Sequence, residues 1–490
     1  MTSPVTLDEM CVTTEDQGLR YRSHRRAAVP HRESCWSLRL ICAAGHLSRR
    51  TLCSPTSAAW VRRHPPPSVT FARKCVSLGP IMKRRRFLKQ VTITTTAMAA
   101  SLSPNILRAA EAPRATGGRP AMALDAAVRK DWLARWEKNI VSDSRNRYCD
   151  KETGEELGWQ VSPFLNGFYY GYLATQDPKW VEALIDWMDS CLKRGVKEPD
   201  GFTGWPKGDG GGGESQEYSA DSLLGETMML RPVVLMAETI RTTPVLAAKW
   251  REKAQSYVDL AEEIFRKWDS RDCWRDVKAG GLWVVPAYGI DRQTGKWSAG
   301  YAERKTTGFS NPANKENFIA CWMLALHDAT KKPVYRERAA KWFQLMKSRM
   351  RTRQDRKYFV WNYWDPAGPW DYKADGSPKH WVGVHPNGGY YGIDVEGIVA
   401  AYEHGLVFTR EDVDRLVATN RDFMWNQQVA GARFQRIDGG QPDPRWKNSP
   451  GVLWTALVPY DATLRQIFLA NHNPASWGGL AATPWFLSLT

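Results

Sequence analysis

The chain has 490 residues, 24% of them charged and 11% aromatic, with a formal net charge of +16. That length suits one large domain or a few ordinary ones. The charge is lopsided: residues 1–110 carry 18 Lys and Arg against 5 Asp and Glu, which leaves 50 against 47 in residues 111–490. Most of the chain is therefore close to neutral, and nucleic acid is a disfavoured partner.

Residues 1–81 are rich in Arg, Cys, Ser and Pro and lack apolar periodicity, so they read as a non-globular basic extension outside the fold. Residues 82–112 follow. Here Arg84, Arg85, Phe87, Leu88 and Lys89 resemble the twin-arginine export signal, with an apolar stretch from Val91 to Leu107 and a small-x-small site at Ala110-Glu111-Ala112. The apolar stretch is too short and too rich in Thr to anchor in a bilayer. The expected location is periplasmic or secreted, with no membrane association after cleavage. Five of the nine cysteines precede residue 82, and Cys149, Cys191, Cys273 and Cys321 follow. Four cysteines allow three pairings, and spacing does not choose among them.

Residues 113–490 read as one domain. Helical periodicity marks 125–140, 163–174, 178–195, 217–240, 244–268, 314–330, 333–350, 395–405, 409–426 and 450–470. Several of these begin at proline and end near glycine or a basic residue. More apolar helices alternate with charged amphipathic ones, as inner helices surrounded by neighbours alternate with outer ones facing water. The expectation is an all-α fold, an (α/α)6 or (α/α)7 toroid of helical hairpins, with almost no strand. Long loops at about 195–216, 271–312, 354–388 and 429–450 place the active face. Trp205, Trp361, Trp364, Trp370 and Trp381 lie in polar stretches of these loops and suit stacking against sugar rings.

Four stretches carry candidate chemistry. In "GESQEYSADSLLGETMML", Glu217 and Asp221 share a helical face, and Glu226 sits in an apolar run, where an acid needs a partner or a wet cavity. In "YAERKTTGFSNPANKENF", Arg304, Asn314 and Lys315 lie near a helix N-terminus, which favours anions; capping is the bland alternative. "YFVWNYWDPAGPWDY" adds Asn362. "HPNGGYYGIDVEG" adds His385, Asn387, Tyr390 and Tyr391, more proton-handling groups than a turn requires. Transition-metal, nucleotide and serine-hydrolase motifs are absent from the sequence.

This layout, with the segments 214–230, 304–317 and 385–397, resembles polysaccharide lyase family 38, over residues 113–490. The resemblance implies an (α/α)7-type barrel that cleaves alginate or glucuronan by β-elimination, with an anionic polysaccharide as partner. Arg304 and Asn314 would neutralise the uronate carboxylate. His385 would remove the C5 proton and Tyr390, or Tyr391 in its place, would protonate the leaving oxygen. Glu217, Asp221, Glu226, Trp205, Trp361, Asn362, Asn387 and Lys315 would bind substrate. No metal or cofactor is required, with calcium left open. A second reading is a glycoside hydrolase on the same toroid, pairing Glu226 or Asp221 with Asp394 or Glu396. A third is a glycan-binding protein without catalysis.

Overall fold

The computed structural model describes residues 122–490 apart from 208–217, 286–288, 299–307, 355 and 446–448. The export signal, the basic extension and its five cysteines, Glu217 and Arg304 lie outside the described residues.

Twelve helical segments make six hairpins. The outer helices are α1 (Ala126–Asp143), α3 (Lys179–Arg194), α5 (Pro244–Ser270), α7 (Pro333–Arg349), α9 (Arg410–Ala418) and α10 (Ala462–Asn471). The inner ones are α2 (Ser162–Thr175), α4 (Leu223–Thr242), α6 (Ala313–Thr330), α8 (Gly389–Glu403), a 3₁₀ turn at Thr455–Tyr460, and α11 (Gly479–Leu487). Inner helices pack in the order α2, α4, α6, α8, and α11 returns against α2 to close the ring. This is an (α/α)6 toroid.

Local chemistry sets the boundaries. Ser222 caps α4 by accepting the Gly225 N–H at 3.1 Å, and Asp461 caps α10 through Leu464 at 2.9 Å. Thr409 and Asp412 form a reciprocal capping box on α9. Pro244 and Pro333 open α5 and α7, where the missing N–H costs nothing. The helix expected at 217–240 starts instead at Leu223. The segment expected at 450–470 divides at Asp461, and that at 409–426 ends in a π-helical turn.

Ring closure depends on close approach. Gly167 on α2 faces α11, and a Cβ there would lie 2.7 Å from the Leu480 carbonyl and 2.6 Å from Ile140. The same carbonyl accepts the indole N–H of the fully buried Trp136 at 2.9 Å.

The connections are markedly unequal. Those from inner to outer helices are short, as at 176–178, 243 and 331–332. Those from outer to inner run through 195–222, 271–312, 350–388 and 425–454. All long loops therefore crowd the face where the inner helices begin. Among the described residues they contain nine strands of two to four residues, β1 (Val196–Lys197), β2 (Thr203–Gly204), β3 (Tyr218–Ser219), β4 (Trp274–Val277), β5 (Gly280–Trp283), β6 (Gly289–Asp291), β7 (Trp297–Ser298), β8 (Arg351–Arg353) and β9 (Tyr358–Val360), paired antiparallel as β1-β2, β3-β6-β7, β4-β5 and β8-β9. Strands this short leave no alternation to read in the sequence. Cys149, Cys191, Cys273 and Cys321 are free, buried thiols; burial lifts the first three to about 12 and Cys321 to about 11.

Candidate functional site in the toroid lumen

Inner helices are covered on the outside by outer helices and on each flank by inner neighbours. Their partly exposed positions recur every three or four residues: Asn166 and Tyr169 on α2, Arg231 and Leu235 on α4, Lys315 and Phe318 on α6, Ile393 and Glu396 on α8. This stripe lines the lumen.

Side chains bridge across it. In ring order α6 stands between α4 and α8, yet Arg231 of α4 donates to Glu396 of α8 at 2.6 Å, so this pair spans the lumen. The Glu396 side chain is 44% exposed, unusual for an inner-helix acid, and Arg231 is 15% exposed. The pull of Glu396 outweighs burial on Arg231 and raises the guanidinium above its ordinary value, keeping it charged. Nearer the mouth, Lys315 holds both oxygens of Glu155 at 3.0 and 2.9 Å, and the Trp159 indole donates to Glu155 at 3.0 Å. Trp159 meets Phe318 edge-on at 6.0 Å. Glu155 and Trp159 ride on the π-helical turn Leu157–Val161 and the residues before it, a distortion common at functional sites. At 1.5 Å rise per residue, Lys315 lies about 3 Å below the start of α6, and the Arg231–Glu396 bridge lies about 10–12 Å below the starts of its helices. Two acids, two bases and two aromatic rings thus meet along the inner wall, with the Arg231–Glu396 pair the deeper.

The sequence candidates are placed differently. Glu226 and Asp221 face away from the lumen, into a buried cluster with α5. Lys267, fully enclosed, donates to Asp221 at 2.6 Å, Glu226 at 2.5 Å and the Thr203 carbonyl at 2.9 Å. Arg271 holds Glu198 at 2.7 Å, and the Trp268 indole donates to Glu226 at 2.6 Å. Burial raises Glu198 and Glu226 above the usual carboxylate range; at Asp221 burial is outweighed by Lys267, Glu198 and Arg271, and its carboxyl is lowered. The expectation that Glu226 and Asp221 bind substrate is corrected: they are a structural clamp. Among the described residues no three His, Cys, Asp or Glu side chains are arranged to hold a metal ion.

Three tryptophans are corrected likewise. Trp205 is buried, donating to the Cys191 carbonyl at 2.7 Å; Trp361 donates to Asp394 at 2.8 Å; Trp364 donates to the Ser310 carbonyl at 2.8 Å. Buried indoles need acceptors, and these anchor loops to the ring instead of meeting sugar. Asp394 accepts from Trp361 and Asn317 and is fully buried. Asn362 is engaged with Arg351 and Asp365 at 2.9 and 2.6 Å. Lys315 reaches the lumen as a partner of Glu155. Asn314 is buried at the start of α6, and its Oδ1 has no hydrogen-bond partner among the described residues.

His385, Tyr390 and Tyr391 are all buried beside the start of α8. His385 Nδ1 accepts the Asn387 N–H at 2.9 Å, so its basic lone pair is used and the proton sits on Nε2. Burial, then the charges of His380 and Arg436, push the imidazole down to about 3. Tyr391 accepts the His385 N–H at 2.8 Å, and burial raises its phenol above the ordinary value. Asn387 also caps Gly389 at 3.0 Å.

No family model and no curated protein matches the chain. Among solved structures, an inactive α-1,6-mannanase of glycoside hydrolase family 76 from a Salegentibacter species, in complex with α-1,6-mannotriose, is 12% identical, with TM-score 0.40, covering 73% of this chain and 98% of that one. A family 76 mannosidase from Bacteroides thetaiotaomicron is 10% identical, TM-score 0.43, with the same coverage. A D-mannose isomerase is 14% identical, TM-score 0.33, covering 75% of this chain and 87% of that one.

The lyase expectation is corrected. These structures are two glycoside hydrolases and an isomerase. Within this chain the proposed base has no free lone pair on Nδ1, and both phenols are enclosed. The lumen cations Arg231 and Lys315 are each matched by a carboxylate, and Arg304, expected to meet an anionic sugar, lies outside the described residues.

Sequence reasoning missed Glu155, Trp159 and Phe318. Lys315 and Phe318, three apart on one face, were the available signal; the stretch around Glu155 lacks helical periodicity and gave none.

Proposed function

We propose that the chain is a glycoside hydrolase that holds its polysaccharide in the loop-lined mouth and cleaves it in the lumen. The observation that carries this is Glu396: a carboxylate on an inner helix, solvent-reached, held by a guanidinium from across the ring. Glycoside hydrolysis needs two carboxyl groups on either side of the scissile bond, and Glu155 supplies a second in the same lumen. Arg231 fixes the orientation of Glu396, and Lys315 with the Trp159 indole fixes Glu155, so neither acid must be ordered at the moment of reaction. Trp159 and Phe318, in edge-on contact with each other, offer apolar surface on which a pyranose can rest.

The test is a panel of neutral and charged polysaccharides, starting with α-1,6-mannan, incubated with purified protein in ¹⁸O-enriched water. Hydrolysis gives fragments whose new reducing ends carry one ¹⁸O. Glu396→Gln is expected to lower kcat by about a hundredfold or more at unchanged Tm. The acid is identified as the residue whose loss spares aryl glycosides with good leaving groups. Unsaturated products, or full activity in Glu396→Gln, would overturn the assignment.

A further inference from the structure

Among the described tryptophans, Trp381 alone is exposed, at 38%. It is also rigidly held. Its ring stacks on Tyr363 at 5.8 Å and 15°, with the His380 and His385 rings at 5.7 and 5.5 Å. The backbone beneath is pinned: Tyr363 N donates to the Gly383 carbonyl at 2.8 Å, Trp364 and Gly383 form a β-bridge, and Arg436 donates to the Val384 carbonyl at 3.2 Å. Gly383 is matched to the indole, since a Cβ there would lie 3.0 Å from it.

We propose that Trp381 is the stacking platform of an outer sugar subsite, receiving the C–H face of a pyranose unit on the glycan whose scissile bond lies in the lumen. This rests on the hydrolase reading. Tyr363, under Trp381, also stacks on Tyr390 at 5.2 Å, and Tyr390 is in the first turn of α8, the helix that carries Glu396. Tyr390 precedes Glu396 by six residues, or about 9 Å of helix. The platform is thus joined by contact to the wall of the lumen. An immobilised ring loses little freedom when a ligand arrives, which favours affinity. Its neighbour Val382 is 46% exposed, but one indole and one valine fall well short of the area a protein partner needs, and a sugar ring matches them.

The experiment uses the full chain and its Trp381→Ala and Trp381→Phe variants on a length ladder of whichever glycan is hydrolysed. Loss of one stacking contact is expected to raise KM about tenfold for long oligosaccharides, leaving kcat and the shortest substrate unaffected; Phe, which keeps a ring on Tyr363, lies between. Equal KM at every length would overturn the platform. A glycan array with wild type and Trp381→Ala separates this from failure of the hydrolase reading. Binding lost in the variant without hydrolysis by either sustains the platform and removes the hydrolase. Binding unchanged in the variant, or absent from the wild type, overturns the platform.

Discussion

Replacing Lys267 by Met keeps most of the side-chain volume and removes the ammonium from the buried cluster. Three contacts vanish together: Asp221 at 2.6 Å, Glu226 at 2.5 Å and the Thr203 carbonyl at 2.9 Å. Asp221 retains the Trp205 amide and Glu226 retains the Trp268 indole, so neither acid is left bare. Breaking a buried ion pair by removing one partner typically costs about 3–5 kcal/mol, and that range is expected here, read by urea unfolding at pH 7. The sign of the pH dependence follows. Without the ammonium, the Glu226 carboxyl rises further above its unfolded value near 4, and Asp221 loses the partner that holds its carboxyl low, so both move upward. A raised carboxyl contributes stability below its unfolded pKa and loses it as pH rises through the folded one. The deficit of Lys267→Met against wild type should therefore shrink between pH 7 and pH 5. Adding Glu226→Leu should recover part of it, because a buried charge leaves with its partner. A loss under about 1 kcal/mol, or a deficit that grows on acidification, would refute the clamp.

Gly204→Ala should act on the same clamp from the loop side, since a Cβ there would sit 2.4 Å from both the Asp221 and Glu198 carboxylate oxygens. A loss of about 1–3 kcal/mol is expected, with faster amide exchange over 196–207. His385, held at about 3, is neutral in the folded chain while the unfolded one protonates near 6.5. Its contribution is complete above pH 6.5 and is lost as pH falls toward 3, at up to about 1.4 kcal/mol per pH unit; His385→Asn should remove that slope from a pH series of unfolding curves.

The toroid was legible because its inner and outer helices differ in hydrophobic pattern along stretches of fifteen to twenty-five residues, as α4 and α5 do. α11 escaped notice: nine residues with an internal proline do not advertise a helix, and ring packing overrides the weak propensity. The lumen acids were legible in kind and missed in direction. An acid inside an apolar helix drew attention to Glu226, but two walls of the ring can receive such a group. Arg231 lies five residues after Glu226, about 140° around the helix; one turns to Lys267 and the other to the lumen. Asp394 and Glu396, two apart, divide the same way, toward Trp361 and toward Arg231. Sequence gives the angle between such residues, and only the position of the neighbouring outer helix says which way is in. Trp205, Trp361 and Trp364 misled for a related reason: each indole in a polar stretch turned inward to a buried acceptor, the Cys191 carbonyl, the Asp394 carboxylate and the Ser310 carbonyl.

The seam between α2 and α11 joins the first inner helix to the last. Every other neighbouring pair along the inner wall is made from nearby stretches of chain, whereas Gly167 and Leu480 are separated by more than three hundred residues. A ribosome-bound chain short of α11 can build a curved stack of hairpins with one raw apolar edge, but no enclosed interior. The lumen is therefore enclosed only when that final turn seats, and a lesion at Gly167 would strike ring closure itself.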